Sequence, residues 1–149
     1  MKIKKCRNCK NNKLTKLFSL GKLSFTGKFP KNRNTNIKKA KLALVMCPKC
    51  TLVQLDTNYD LKYLYGPDYG YRTGINKTMR DHMKGVKEIL LKKSKLRKGD
   101  HILDIASNDG TLLNFFNKNL RRVAIDPLVN KYKKFYKNIN YKISDFFSA

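Results

Sequence analysis

The chain has 149 residues, 41% of them hydrophobic and 30% charged, with a formal net charge of +24. That apolar fraction supports a buried core and excludes wholesale disorder, and the length allows one ordinary domain or a small domain plus part of another. No run approaches the ~18 consecutive apolar residues of a membrane-spanning helix. Behind the basic start Met1-Lys2-Ile3-Lys4-Lys5 comes no apolar stretch, so a secretory leader is not expected and cytoplasm is the expected compartment.

A balance of 34 basic to 10 acidic residues suggests an anionic partner such as nucleic acid, anionic lipid or a phosphorylated ligand. Two details argue against nucleic acid. The basic set is 27 Lys and only 7 Arg, whereas Arg supplies the bidentate base contacts of sequence readers. It is also spread along the whole chain. With fifteen Asn beside it, the surplus reads as compositional bias giving a solvated lysine coat.

The first chemistry in the chain is its four cysteines, Cys6, Cys9, Cys47 and Cys50, arranged as two Cys-x-x-Cys pairs. Each pair places two thiolates on one turn, and two such knuckles close a tetrahedral shell around Zn²⁺. Arg7, Lys10 and Lys49 flank the thiols and favour their deprotonation. A disulfide pairing suits a reducing compartment poorly, and a redox pair accounts for only one of the two knuckles. Four thiolates leave no open position, so this zinc holds the fold. Between the knuckles run Leu17–Gly21, Leu23–Gly27 and a polar loop, Lys31 to Asn36. Strand-like runs at Leu42–Met46 and Thr51–Leu55 flank the second knuckle, so residues 1–58 read as a small β domain that needs a metal staple.

Residues 59–98 form a tyrosine-rich loop and a connecting helix. Tyr59, Tyr63, Tyr65, Tyr69 and Tyr71 alternate with Gly66, Pro67, Gly70, Arg72 and Gly74, a pattern of frequent turns rather than a regular element. These phenols and Arg72 suit either ligand contact or packing of the loop. After Gly74, apolar residues at Ile75, Met79, Met83, Val86 and Leu90 predict a helix to about Lys93, capped by Thr73 or Asn76. His82 lies beside that stripe, a position more often structural than catalytic.

Residues 99–149 read as the opening of an α/β domain. His101–Ala106 is a buried parallel strand, Ser107-Asn108-Asp109-Gly110-Thr111 a tight loop, Leu112–Phe116 a helix, and Arg122–Ile125 a second strand ending in Asp126-Pro127. Strand, small-residue loop, helix, strand and acid form the first half of a Rossmann-like nucleotide site, with Asp126 placed for ribose hydroxyls. The dinucleotide glycine pattern is missing, with Ala106 and Asn108 where glycines are expected and only Gly110 retained. Asp104, at the end of the first strand, would repel phosphate and suits a cationic ligand. S-adenosylmethionine carries an ammonium and a sulfonium and no phosphate. A purely structural turn remains the alternative, since a single glycine is weak evidence.

Together these segments resemble sugar C-methyltransferases that depend on S-adenosylmethionine and carry an N-terminal zinc-binding domain. The resemblance rests on Leu20-Gly21-Lys22, Phe25-Thr26-Gly27, Phe29-Pro30 and the Cys47–Leu55 run. It continues through Tyr65-Gly66, Tyr69–Asn76, Met79, His82-Met83, Asp104–Leu113 and Ile125-Asp126-Pro127. Thr51 stands where a Gly is common, and Thr73 where Ser is. The fold it implies is α+β, a zinc-ribbon-like β domain followed by a helix and an incomplete Rossmann-like domain. The reaction it implies removes a proton beside the keto group of a nucleotide-linked 4-keto-deoxysugar, and the resulting enolate takes the methyl group. Asp104, Ala106, Ser107, Asn108, Asp109 and Gly110 would hold the amino-acid part of the cofactor. Asp126 and Pro127 would flank the ribose, and Asp145 with Phe146, from the region Tyr141–Phe147, the adenine. Tyr69, Tyr71 and Arg72 would close over cofactor or sugar, and with His82 they are the catalytic candidates in this chain. Family members continue beyond this point with further strands, a base-bearing region and a C-terminal domain, so the sequence reads as an N-terminal portion without turnover of its own. Its open sheet edge would favour partner pairing. The competing functions are an RNA methyltransferase that grips RNA through its zinc module, and a zinc-ribbon interaction module with no cofactor.

Overall fold

A computed structural model of the protein describes residues 1–148, and the chain divides into two compact units, Met1–Gly70 and the residues from Tyr71 onward. The fold is mixed α/β. Among the described residues no helix is long and apolar enough to cross a membrane.

The first unit is a three-stranded antiparallel sheet in the order β1 (Thr15–Ser24), β2 (Lys39–Met46), β3 (Val53–Leu55). Burial along β2 rises toward its C-terminal end: the face that carries exposed Lys39 and Lys41 near the start carries buried Ala43 and Val45 beyond them, and the other face, Ala40, Leu42, Leu44 and Met46, is half-buried throughout. The two runs on either side of Gly21 join as one strand. Its register against β2 slips between Ser19 and Lys22, where Gly21 takes φ +74°, the left-handed conformation a bulge needs. All ten β1 residues are exposed, so the buried apolar set of this unit is only Ala43, Val45, Cys6 and Cys47. So small a core does not hold three strands by burial alone. The tyrosine-rich segment is more regular than its glycines suggest. Leu61–Tyr65 forms a short helix, α1, because the Asp60 side chain accepts from the Lys62 N–H at 2.9 Å and caps its start.

The second unit holds α2 (Lys77–Lys93), β4 (His101–Ile105), α3 (Thr111–Asn114), β5 (Arg121–Ile125), a single 3₁₀ turn at Lys133–Phe135 and β6 (Tyr141–Ile143). The three strands form a parallel sheet in sequence order. Asn76 caps α2 by accepting from the Met79 N–H at 2.7 Å, and the helix ends at Lys93 as its periodicity predicts. Its apolar stripe is not buried, however: Met79, Met83 and Val86 are half-covered, and Ile75 and Leu90 are exposed. The reason is length, since α3 offers four residues, about 6 Å, to a helix of about 25 Å.

One face of the parallel sheet is packed by Leu113, Phe116, Leu128, Val129, Tyr132, Tyr136 and Ile139, over a buried Ala124. Arg122 is buried on this face as well. Its guanidinium donates to the carbonyls of Phe116 and Asn138, and its N–H to Asn140 Oδ1 at 2.8 Å. The opposite face is open. Leu103, Ile105, Tyr141 and Ile143 remain 45–50% exposed, although parallel sheets are normally covered on both sides.

Candidate metal centre and acidic cleft

The two cysteine knuckles have the same local build. In the first, Cys6 O accepts from the Lys10 N–H at 3.1 Å; in the second, Cys47 O accepts from the Thr51 N–H at 2.8 Å. Both closing residues take the left-handed region, Lys10 at φ +61° and Thr51 at φ +60°. The second knuckle is the tip of the β2–β3 hairpin, and the first precedes β1. All four sulfurs lie within 4.8 Å of one another, Cys6 to Cys50 at 3.6 Å and Cys9 to Cys47 at 3.5 Å. Zn–S bonds of ~2.3 Å in a tetrahedron put sulfurs ~3.8 Å apart, so the donor set fits this ion.

Two residues that spacing alone does not single out complete the centre. Gln54, buried on β3, donates to Cys6 Sγ at 3.4 Å while its Oε1 accepts from the Arg7 N–H and guanidinium at 3.1 and 3.2 Å. Asn11 Nδ2 lies 3.5 Å from Cys47 Sγ. Such outer partners orient the ligands and favour their thiolate form. Burial pushes the Cys47 thiol up, but Asn11 and the backbone N–H groups of Cys50 and Lys49 outweigh it and bring it down to about 6. At Cys9 the Asn11 N–H favours the thiolate, yet burial and the neighbouring thiols prevail and push it up to about 11. Four sulfurs this close cannot all be anionic without a cation among them.

In the second unit the loop after β4 carries three left-handed residues in alternation: Ala106 at φ +61°, Asn108 at φ +52° and Gly110 at φ +73°. Two of these are the non-glycine positions where glycine is expected. Gly110 has a second reason to lack a side chain, because a Cβ there would meet the Tyr136 ring at 2.8 Å. Five N–H groups of the loop are spent within the protein. Ala106 and Ser107 donate to Ile125 O, Asn108 to Asp126 Oδ2 at 2.9 Å, Gly110 to Ser107 O and Thr111 to Asp109 Oδ1. A loop in this state offers no cradle to a pyrophosphate.

The loop instead gathers carboxylates. Asp109 is buried to 1% exposure, accepting from the Gly74 N–H at 3.0 Å and from Thr111 Oγ1 at 2.5 Å, with Arg72 Nε at 3.8 Å. Gly74 is required by that approach, since a Cβ would stand 2.8 Å from Asp109 Oδ2. Asp126 is buried and accepts from the Asn108 and Leu128 N–H groups at 2.9 and 2.7 Å. Burial, followed by repulsion from Asp126, pushes the Asp104 carboxyl up to about 6. The Tyr136 hydroxyl donates to Asn108 O at 2.6 Å and meets Ser107 Oγ at 3.0 Å. Burial chiefly, with Asp126, Asp109 and Asp104 adding to it, lifts this phenol far above its usual value. Three of the ten acidic residues of a +24 chain thus act electrostatically on the Tyr136 phenol, and one of them, Asp109, is paired with Arg72.

The remaining candidates are dispersed. The Arg72 guanidinium stacks 3.8 Å over Phe135, and Asn108 bonds the Tyr71 carbonyl and the Thr73 N–H, so residues 71–74 are fastened to the loop. Tyr69 belongs to the first unit, where its ring lies against Gly27. His82 is exposed on α2. Pro127 is half-buried after β5, while Asp145 is exposed and Phe146 half-buried beyond the short β6. Tyr132 and Tyr136 were not among the candidates; their four-residue spacing beside Lys133 and Phe135 carries no sequence signal of a loop contact.

Residues 6–65 match the family model Methyltransf_13, described as "Putative zinc binding domain". The match spans both knuckles and the sheet between them, which fits an N-terminal zinc module of methyltransferases. No curated protein matches the chain.

Proposed function

We propose that this chain forms the zinc module and the S-adenosylmethionine-binding strands of a C-methyltransferase acting on a nucleotide-linked keto-deoxysugar, the strands opening a Rossmann-like domain. The observation that carries the reading is the acidic cleft. Asp104 and Asp126 stand at the carboxyl ends of two neighbouring parallel strands and repel one another in an otherwise basic chain. Beside them is a loop most of whose N–H groups are taken and whose Asp109 is already paired with Arg72. Such a site disfavours phosphate and attracts a cation. The zinc-module match supports the methyltransferase class.

S-adenosylmethionine, when bound, supplies a methyl group activated by its sulfonium. The residues of this chain bind and orient it. Asp104 offers a carboxylate to the ammonium, and the arriving positive charge lowers the pKa that burial and Asp126 have raised. Asp126, oriented by the Asn108 and Leu128 N–H groups, would offer its carboxylate to the ribose hydroxyls. Tyr136 and Ser107 hold the loop backbone in its left-handed form and keep water from beneath it. Asp145 and Phe146 follow β6 as partners for the adenine edge and face. Cys6, Cys9, Cys47 and Cys50 would hold zinc through their four thiolates, which would give it a structural role in the first unit.

Titration calorimetry of the zinc-loaded chain with S-adenosylmethionine tests this reading. Micromolar binding that weakens at least tenfold in Asp104→Asn is the expected result. A folded, zinc-loaded chain that binds no S-adenosylmethionine overturns it in favour of a cofactor-free interaction module, and one that prefers a nicotinamide dinucleotide overturns it in favour of a different cofactor.

A further inference from the structure

The first unit contains a cavity of about 560 Å³ that belongs neither to the cysteine cluster nor to the acidic cleft. Its volume falls within the ~300–1,000 Å³ usual for small-molecule sites. The lining combines aromatic rings with cationic side chains. Phe25 and Tyr63 set their rings nearly parallel, 14° apart with centroids at 6.2 Å, and Phe25 is braced edge-on by Tyr59. Phe29 is 70% exposed at the mouth, and its ring lies against Gly70, where a Cβ would strike it at 2.2 Å. The loop that carries Phe29 is pinned by the Gly70 N–H on Gly27 O at 2.7 Å and by the bridge between Lys28 and Tyr69.

Three lysines, Lys28, Lys31 and Lys38, line the same cavity against one carboxylate, Asp68. Lys28 is paired with Asp68 at 3.3 Å, which leaves Lys31 and Lys38 to face a ligand. Lys38 Nζ already sits 3.8 Å above the Tyr63 ring, so cation and aromatic surface are presented together. Thr35 and Asn36 add a hydroxyl and an amide able to meet the polar edge of a heterocycle. A purely apolar ligand would leave two ammonium groups unmatched, and a bare polyanion would leave the rings unused.

We infer that this cavity is a nucleotide site, taking the base of a nucleoside diphosphate against Phe25, Phe29 and Tyr63 and its phosphates on Lys31 and Lys38. The inference rests on the proposed function for its choice of ligand, the nucleotide of a nucleotide-linked sugar. The argument from the walls concerns the first unit alone.

The zinc-loaded full chain is titrated with uridine and thymidine diphosphates, with uridine and inorganic pyrophosphate as separate probes, at fixed physiological salt. S-adenosylmethionine is titrated in parallel. The expected result is micromolar binding of a diphosphate, with uridine and pyrophosphate each at least tenfold weaker. Phe29→Ala and Lys31→Ala, both surface changes, each weaken the diphosphate about tenfold and leave S-adenosylmethionine binding unchanged. Pyrophosphate binding as tightly as the diphosphate, or neither variant altering affinity, overturns the inference. So does a single-stranded oligonucleotide that outcompetes the mononucleotide, since the surface would then be a nucleic-acid track. Nucleotide binding without S-adenosylmethionine binding defeats the cofactor reading and not this one; the reverse result defeats this one alone.

Discussion

The Asn108 N–H donates to Asp126 Oδ2 at 2.9 Å, so the acid ending β5 closes the loop that follows β4. The same carboxylate caps the next turn through the Leu128 N–H at 2.7 Å. A residue placed by its sequence position for a ligand thus also fixes the shape of the loop that would meet the ligand.

Replacing Asp126 by Asn therefore costs stability as well as affinity. An amide keeps one acceptor and turns a donor toward a second N–H, leaving a buried pair unsatisfied. The expected loss is about 2 kcal/mol, read as a lowered unfolding midpoint and faster amide exchange at Asn108 and Leu128.

Asp104 predicts a pH dependence of defined sign. Its carboxyl is pushed up to about 6 by burial and by Asp126, above the ~3.9 of an unfolded chain. The protonated form is the one the fold favours, so its contribution is complete below the unfolded value and is lost as pH rises through 6. Asp104→Asn should leave stability near pH 4 little changed and raise it at neutral pH by about 1 kcal/mol, after discounting for partial solvent access. In the unsubstituted chain, affinity for S-adenosylmethionine should climb roughly tenfold between about pH 5 and 7 as the carboxylate forms, and the variant should show no such slope.

Metal removal acts on the first unit. With Ala43, Val45 and two cysteines as its only buried apolar side chains, the first unit should lose its β1–β3 sheet signals to a strong chelator while the β4–β6 sheet keeps its protection from hydrogen exchange. Zinc added back should restore the spectrum at one equivalent per chain. Cys47→Ser, which removes one of four ligands, should reproduce the chelated state.

The left-handed residues predict stabilising substitutions. Thr51 at φ +60° is β-branched, and Ala106 at φ +61° is exposed, so each bears a steric cost that glycine does not. Thr51→Gly and Ala106→Gly should each raise stability by about 0.5–1 kcal/mol, net of glycine's larger unfolded-state entropy. Asn108→Gly should not, because the Asn108 side chain bonds Thr73 and Tyr71.

Much of this was legible in the residues. Two Cys-x-x-Cys pairs favour a shared cation over a disulfide or a redox pair, and the sulfur cluster agrees with that reading of the spacing. The α2 limits follow from Asn76 and the periodicity to Lys93. The resemblance implies a common glycine at 51 and the dinucleotide pattern a glycine at 106, and both positions take left-handed φ although other residues fill them. Contacts set by tertiary approach could not be read. Gln54 reaches Cys6 across 48 positions, and Tyr136 reaches Asn108 across 28; neither carries a local pattern. The stripe on α2 misled in one respect, since periodicity reports an amphipathic helix and says nothing of whether a neighbour is long enough to cover it.

The uncovered side of the β4–β6 sheet governs how the chain behaves in bulk. Leu103, Ile105, Tyr141 and Ile143 form an adhesive strip on a particle whose +24 charge keeps like particles apart. That repulsion reaches ~30 Å in 0.01 M salt and only ~3 Å in 1 M. Light scattering should therefore find dispersed chains in dilute buffer and clusters in brine, the reverse of a protein held together by ion pairs.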